Sequence, residues 1–219
     1  MSKRIKKLIK KTRHGLTWPV TNTSNDGLLM ITSDHRQRRH TINNPPATIA
    51  NPHRDHEYLH ELAHATLCEQ VHPQFSTQYF AIGVPDPIVS LIGSASQAAS
   101  DWFADEFLHA LLPEETRAEV EEHLHLVSRA LGGNPEGGPD MFTGFALIVA
   151  QAIRYCGYKI ELSDPLKQAV NGLLSVPPDN PTVEKLQAAI NNLLACYCPH
   201  RVRLMTDQDG LEVWEVNNP

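Results

Sequence analysis

Residues 56–64 read His-Glu-Tyr-Leu-His-Glu-Leu-Ala-His, two overlapping copies of His-Glu-x-x-His that share His60. On a helix, residues four apart lie one turn apart on the same face, so two imidazoles at that spacing can reach a single metal ion. The Glu after the first His then sits beside a water on that ion. The surroundings of the two frames differ. The first begins at His56, behind Arg54 and Asp55, and runs straight into Glu61. The second, His60 to His64, is flanked by Tyr58, Leu59, Leu62, Ala63 and Ala65, the uncharged neighbours that the buried side of a metal helix requires. We therefore read His60 and His64 as metal ligands and Glu61 as the general base. His56, one turn earlier on the same face, is read as a rim or supporting residue, or as a surface histidine.

Working outward, helix breakers vanish from about Asp55 to Val71, which predicts a helix there. Pro73, Pro85 and Pro87 mark a loop region, with an extended piece between residues 78 and 84. A second helix is predicted over about 94–112, stopping at Pro113. Two imidazoles do not complete a catalytic zinc site; a third protein ligand and an open position are needed. The second helix offers Gln97, Asp101, Asp105 and Glu106.

His60-Glu-Leu-Ala-His64, followed by a helix with a carboxylate, three residues and then Asp, resembles the zincin metallopeptidases of the gluzincin type. Within them it is similar to the ImmA/IrrE-like family, which shows Glu-x-x-Ala-Asp/Asn-x-Phe before Leu-Leu-x-Pro. Asp101-Trp-Phe-Ala104-Asp105-Glu-Phe107 and Leu111-Leu-Pro113 match that pattern with one substitution and one shortened spacing. The resemblance covers roughly residues 55–113. It implies Zn2+ as cofactor and Asp101 as third ligand, where the family has Glu, with a reach shorter by one methylene. Asp105 would then hold the other nitrogen of a ligand imidazole. An alternative register makes Gln97 the ligand and Asp101 its support, but a neutral amide is a poor zinc ligand beside a carboxylate. The resemblance also implies cleavage of an intracellular protein substrate. Tyr79, His109, His123 and His125 are candidates for stabilising an oxyanion.

The 219 residues are 41% hydrophobic and 20% charged, ordinary usage for a folded protein. No apolar run reaches the roughly 18 residues of a membrane span, and the basic N-terminus lacks the apolar core of a signal peptide. Four cysteines are too few for a disulfide scaffold at this length, so a cytoplasmic protein is expected. The net charge of −6 conceals an asymmetry: residues 1–13 carry seven Lys or Arg and no acid, leaving twelve basic residues against 25 acids elsewhere. Such an arm can be a solvated terminus, or a short basic amphipathic helix through Ile5, Leu8 and Ile9 that meets nucleic acid or a protein partner.

The remaining segments predict a strand over Gly27–Thr32, and helices over about 113–131, 141–156, 164–174 and 181–196. A linker is expected at 133–139. A β-hairpin is expected from residues 201–205 and 211–216, turning at Asp209-Gly210 and possible partner of the early strand. The expected architecture is α+β: a mostly helical zincin-like metallopeptidase domain with a small β-sheet and a C-terminal β-hairpin. Its expected parts are a basic arm (1–20), a metal-binding core (21–132) and a helical extension with the hairpin (133–219). The competing class is a non-catalytic metal-binding regulator that engages nucleic acid or a protein through its arm. Cys196-Tyr-Cys198 and Cys68 are read as ordinary packing residues.

Overall fold

A computed structural model describes residues 3–46, 53–131 and 138–217. Its fold is α+β, mostly helical, with a small sheet and a C-terminal hairpin. The chain divides into two compact units, Met1–Thr77 and Gln78–Pro219. The linker expected at 133–139 falls largely outside the described residues.

The first unit opens with helix α1 (Lys3–Gly15), followed by strands β1 (Val20–Thr23), β2 (Met30–Asp34) and β3 (Arg39–Asn43). These strands make a sheet in the order β1-β3-β2, with β1 parallel and β2 antiparallel to the central β3. Ile31 and Ile42 sit opposite each other on its buried face. Helix α2 (Arg54–Gln70) packs against α1 and β2, and a single 3-10 turn, Pro73–Phe75, follows it. Burial runs right round the middle of α2, from Leu62 to Cys68, as expected of a helix that lies inside a protein rather than on it.

The sheet departs from the sequence reading in two ways. The early strand begins at Met30 rather than Gly27, because Gly27 takes a positive φ of 132° and Leu28 is left 82% exposed. β1 and β3, Val-Thr-Asn-Thr and Arg-His-Thr-Ile-Asn, were not predicted. Their inward positions in β3 are His40 and Ile42, and a buried histidine gives no apolar alternation to detect.

The second unit holds α3 (Asp86–Leu111), α4 (Pro113–Leu131), α5 (Pro139–Cys156), α6 (Leu166–Leu174), α7 (Val183–Leu194), β4 (Arg201–Thr206) and β5 (Glu212–Asn217). α3 starts eight residues before its expected position. Pro87 lies in its first turn, where a missing N–H costs nothing, so a proline read as a loop marker is a helix starter. α3 packs on α5 and α7, and its fully buried Trp102 donates to the Val176 carbonyl at 2.9 Å. The Arg154 guanidinium lies 5.9 Å over the same indole and reaches both Glu106 oxygens, at 2.8 and 3.0 Å. The hairpin pairs Arg201 to Thr206 with Asn217 to Glu212 and forms a sheet of its own. It does not pair with β2. Its outer partner is the extended piece at Phe80, bridged to Trp214 by Trp214 N–H to Tyr79 O (2.7 Å) and Ala81 N–H to Trp214 O (2.9 Å).

Candidate metal centre

α2 brings His60 and His64 onto one face, where their Nε2 atoms stand 3.0 Å apart and the rings meet edge to face at 4.7 Å. Two nitrogens each about 2.0–2.1 Å from one tetrahedral zinc are about 3.3 Å apart, so the spacing is within a few tenths of an ångström of the one zinc needs. His64 is buried, and its Nδ1 lies 2.7 Å from the Phe75 carbonyl in the turn after α2. A carbonyl only accepts, so the proton resides on Nδ1 and the lone pair is on Nε2, the atom that faces His60. This is the arrangement by which an outer partner fixes a ligand tautomer.

Glu61 stands beside this pair, and its Oε2 accepts the Ile31 backbone N–H of β2 at 2.6 Å. The bond anchors one carboxylate oxygen to the sheet, which restricts the rotation of a long side chain. His56 is buried in the first full turn of α2. Among residues considered for the site, Cys68 is buried, and its burial pushes the thiol up to about 11, so it remains a protonated packing group at neutral pH.

Asp101 and Asp105 belong to α3, in the second unit. Gln97 donates its amide to Asp101 Oδ1 at 2.7 Å, so the two residues of the competing registers are bonded to each other. The amide offers N–H to the carboxylate, the role of a residue that orients Asp101. Asp105 accepts a hydrogen bond from Gln151 of α5. Of the oxyanion candidates, His109 stacks on Tyr155 at 4.3 Å, and burial lowers its pKa. His123 and His125 are exposed on α4. All four cysteines are free thiols.

A second polar cluster lies in the same unit as the two histidines. Ser33 Oγ is 2.7 Å from His40 Nδ1, and His40 Nε2 is 3.0 Å from Glu69 Oε1. The order Ser–His–Glu resembles a nucleophile relay, but Ser33 and His40 are 1% and 0% exposed and Trp18 stacks over the imidazole at 5.1 Å. No substrate reaches such a serine. Glu69 also accepts the Thr17 N–H and hydroxyl and the Trp18 N–H, and so ties the chain before β1 to the end of α2. Burial lowers the pKa of His40, which is held neutral. Burial pushes Glu69 the other way, but its four donors outweigh that effect and hold the carboxyl below its ordinary range.

The sequence gives no sign of Phe75 O or Ile31 N–H, because backbone groups carry no side-chain signature. The Ser33–His40–Glu69 cluster was missed because its members are spread over 37 residues and joined only by folding. No protein-family model matches this chain, and no curated protein or solved structure matches it either.

Proposed function

We propose that the protein is a zinc-dependent metallopeptidase of zincin type, with His60, His64 and Asp101 as metal ligands and Glu61 as general base. The observation that carries the reading is the pair of facing Nε2 atoms, one with its tautomer fixed by a backbone carbonyl, beside a carboxylate anchored to the sheet. The donor chemistry also fits: two imidazoles and a carboxylate are a set that zinc accepts. When bound, zinc lowers the pKa of its water to about 7 and polarises a substrate carbonyl.

The chain's own residues supply the remainder. Glu61, with one oxygen fixed by Ile31, takes a proton from the attacking water and hands it to the leaving amine. His64 is kept from turning by Phe75 O, which preserves the ligand geometry through the reaction. The substrate class is an extended segment of a protein, cleaved in the cytoplasm.

Glu61→Gln tests the reading. The variant should retain stoichiometric zinc by native mass spectrometry and lose peptide hydrolysis, because an amide cannot take the proton. Wild-type cleavage by Glu61→Gln would sink the base assignment, and absence of zinc from the wild-type protein would sink the whole proposal.

A further inference from the structure

We infer that the first unit carries a second site, independent of the metal reading: a cationic cleft for the phosphate monoester of a small organic molecule. The cleft has a volume of about 340 Å³ and lies where α1, the sheet and the start of α2 come together. That size is at the lower end of small-molecule pockets, enough for a phosphorylated sugar and too small for a large ligand.

Three cations line it, Lys6 and Arg13 from α1 and Arg54 from the first turn of α2. None is neutralised by an ion pair among the described residues. Arg13 donates to the Tyr58 hydroxyl at 3.3 Å and to the Val20 carbonyl at 2.7 Å. Arg54 donates to Asn44 Oδ1 at 2.6 Å and to the Pro45 carbonyl. Both guanidinium groups are thus positioned by neutral oxygens that leave the charge intact and further N–H groups to offer. Lys6 is exposed and has no polar partner among the described residues. Three positive charges against the single carboxylate of Asp55 leave a net positive potential that favours an anion, and guanidinium forks suit phosphate oxygens.

A second set of groups specifies more than phosphate. Asp55 also lines the cleft, and its Oδ2 is buried with no hydrogen-bond partner among the described residues. A buried carboxylate oxygen lacking a donor is costly, and the ionised phosphate oxygens that the cations grip only accept. A hydroxyl or amine on the organic part of the ligand can donate. Asn22 and Ile9 complete the wall with an amide and an apolar surface. The combination favours a phosphorylated polyol over inorganic phosphate, and a small molecule over a nucleic acid strand.

Calorimetric titration of the full chain with ribose 5-phosphate, inorganic phosphate, ribose and a short oligothymidylate lacking terminal phosphates tests this. Ribose 5-phosphate should bind saturably and more tightly than inorganic phosphate, and ribose should not bind. Lys6→Gln should weaken ribose 5-phosphate roughly tenfold, the loss of one charge-assisted contact, whereas Lys7→Gln, with the same change of charge but outside the cleft, should leave it unchanged. Asp55→Asn should erase the preference over inorganic phosphate. Equal losses from Lys6→Gln and Lys7→Gln would reduce the effect to general charge and overturn the site. Tighter binding of the oligothymidylate would overturn it in favour of a nucleic acid backbone. Failure of ribose 5-phosphate to saturate, or inorganic phosphate binding as tightly, would overturn it as well. Zinc content and hydrolysis play no part in these readouts, so this inference and the metallopeptidase reading fail separately.

Discussion

A lone pair is available on His64 Nε2 only while the proton stays on Nδ1, and the Phe75 carbonyl at 2.7 Å keeps it there. Single substitutions at His60, His64 or Asp101 to Ala should therefore each release zinc in native mass spectrometry while Gln97→Ala retains it; stoichiometric zinc in any of the first three would remove that residue from the ligand set. The buried cluster around Glu69 makes a different prediction. Glu69→Gln turns an acceptor of four hydrogen bonds into a mixed donor and acceptor, and should cost about 2–3 kcal/mol in chemical denaturation. The pH dependence has one sign. His40 has a folded pKa below its ordinary 6.5, so its contribution is complete above that value and is lost as pH falls through the folded pKa. Glu69, depressed from 4.5, behaves alike at lower pH. The melting temperature should fall on acidification from pH 7, with His40→Gln flattening the part of the slope nearest neutrality. An unchanged slope in that variant would mean other groups set it. The facing pair His60 and His64 was legible in the sequence because one helix carries both at a fixed spacing. Ser33, His40 and Glu69 were not, since no local pattern connects them.

At the scale of elements, helices declared themselves and polar strands did not. α2 matches its expected limits within about a residue, because breakers bound it on both sides. α5, α6 and α7 each carry apolar residues at helical spacing and end at the expected turns. β3, by contrast, buries His40 beside Ile42, and β1 has no buried residue at all. The basic arm takes the helical one of its two expected forms. It is a helix, α1, packed on α2, with Arg13 tied to Tyr58 and to Val20, rather than a solvated terminus. Deleting residues 2–13 removes the half-buried Ile5, Leu8 and Ile9 together with those bonds, and should lower stability by about 2–4 kcal/mol. Unchanged thermal melting after that deletion would show that α1 contributes nothing to the first unit. Affinity of the full chain for duplex DNA at two salt concentrations tests the nucleic acid partner proposed for the arm.

For the molecule as a whole, no helix among the described residues is long and apolar enough to cross a membrane. Zinc binds the folded chain far better than the unfolded one if the proposed ligands hold it, so free zinc at about 100 times its dissociation constant should add about 2.7 kcal/mol to stability. A chelator should remove that increment in the wild type and leave the His64→Ala melt unmoved; equal shifts in both would place the zinc elsewhere. Among the described residues β2 has only β3 beside it, and the outward N–H groups of Ile31 and Ser33 are taken by the side chains of Glu61 and Thr77. The edge is thereby capped against casual aggregation. It is capped, moreover, by the residue proposed to do the chemistry. An extended segment laid on β2 would have to compete with the Glu61 carboxylate for the Ile31 N–H, so the bond that shields the edge is also the bond that holds the proposed base in place.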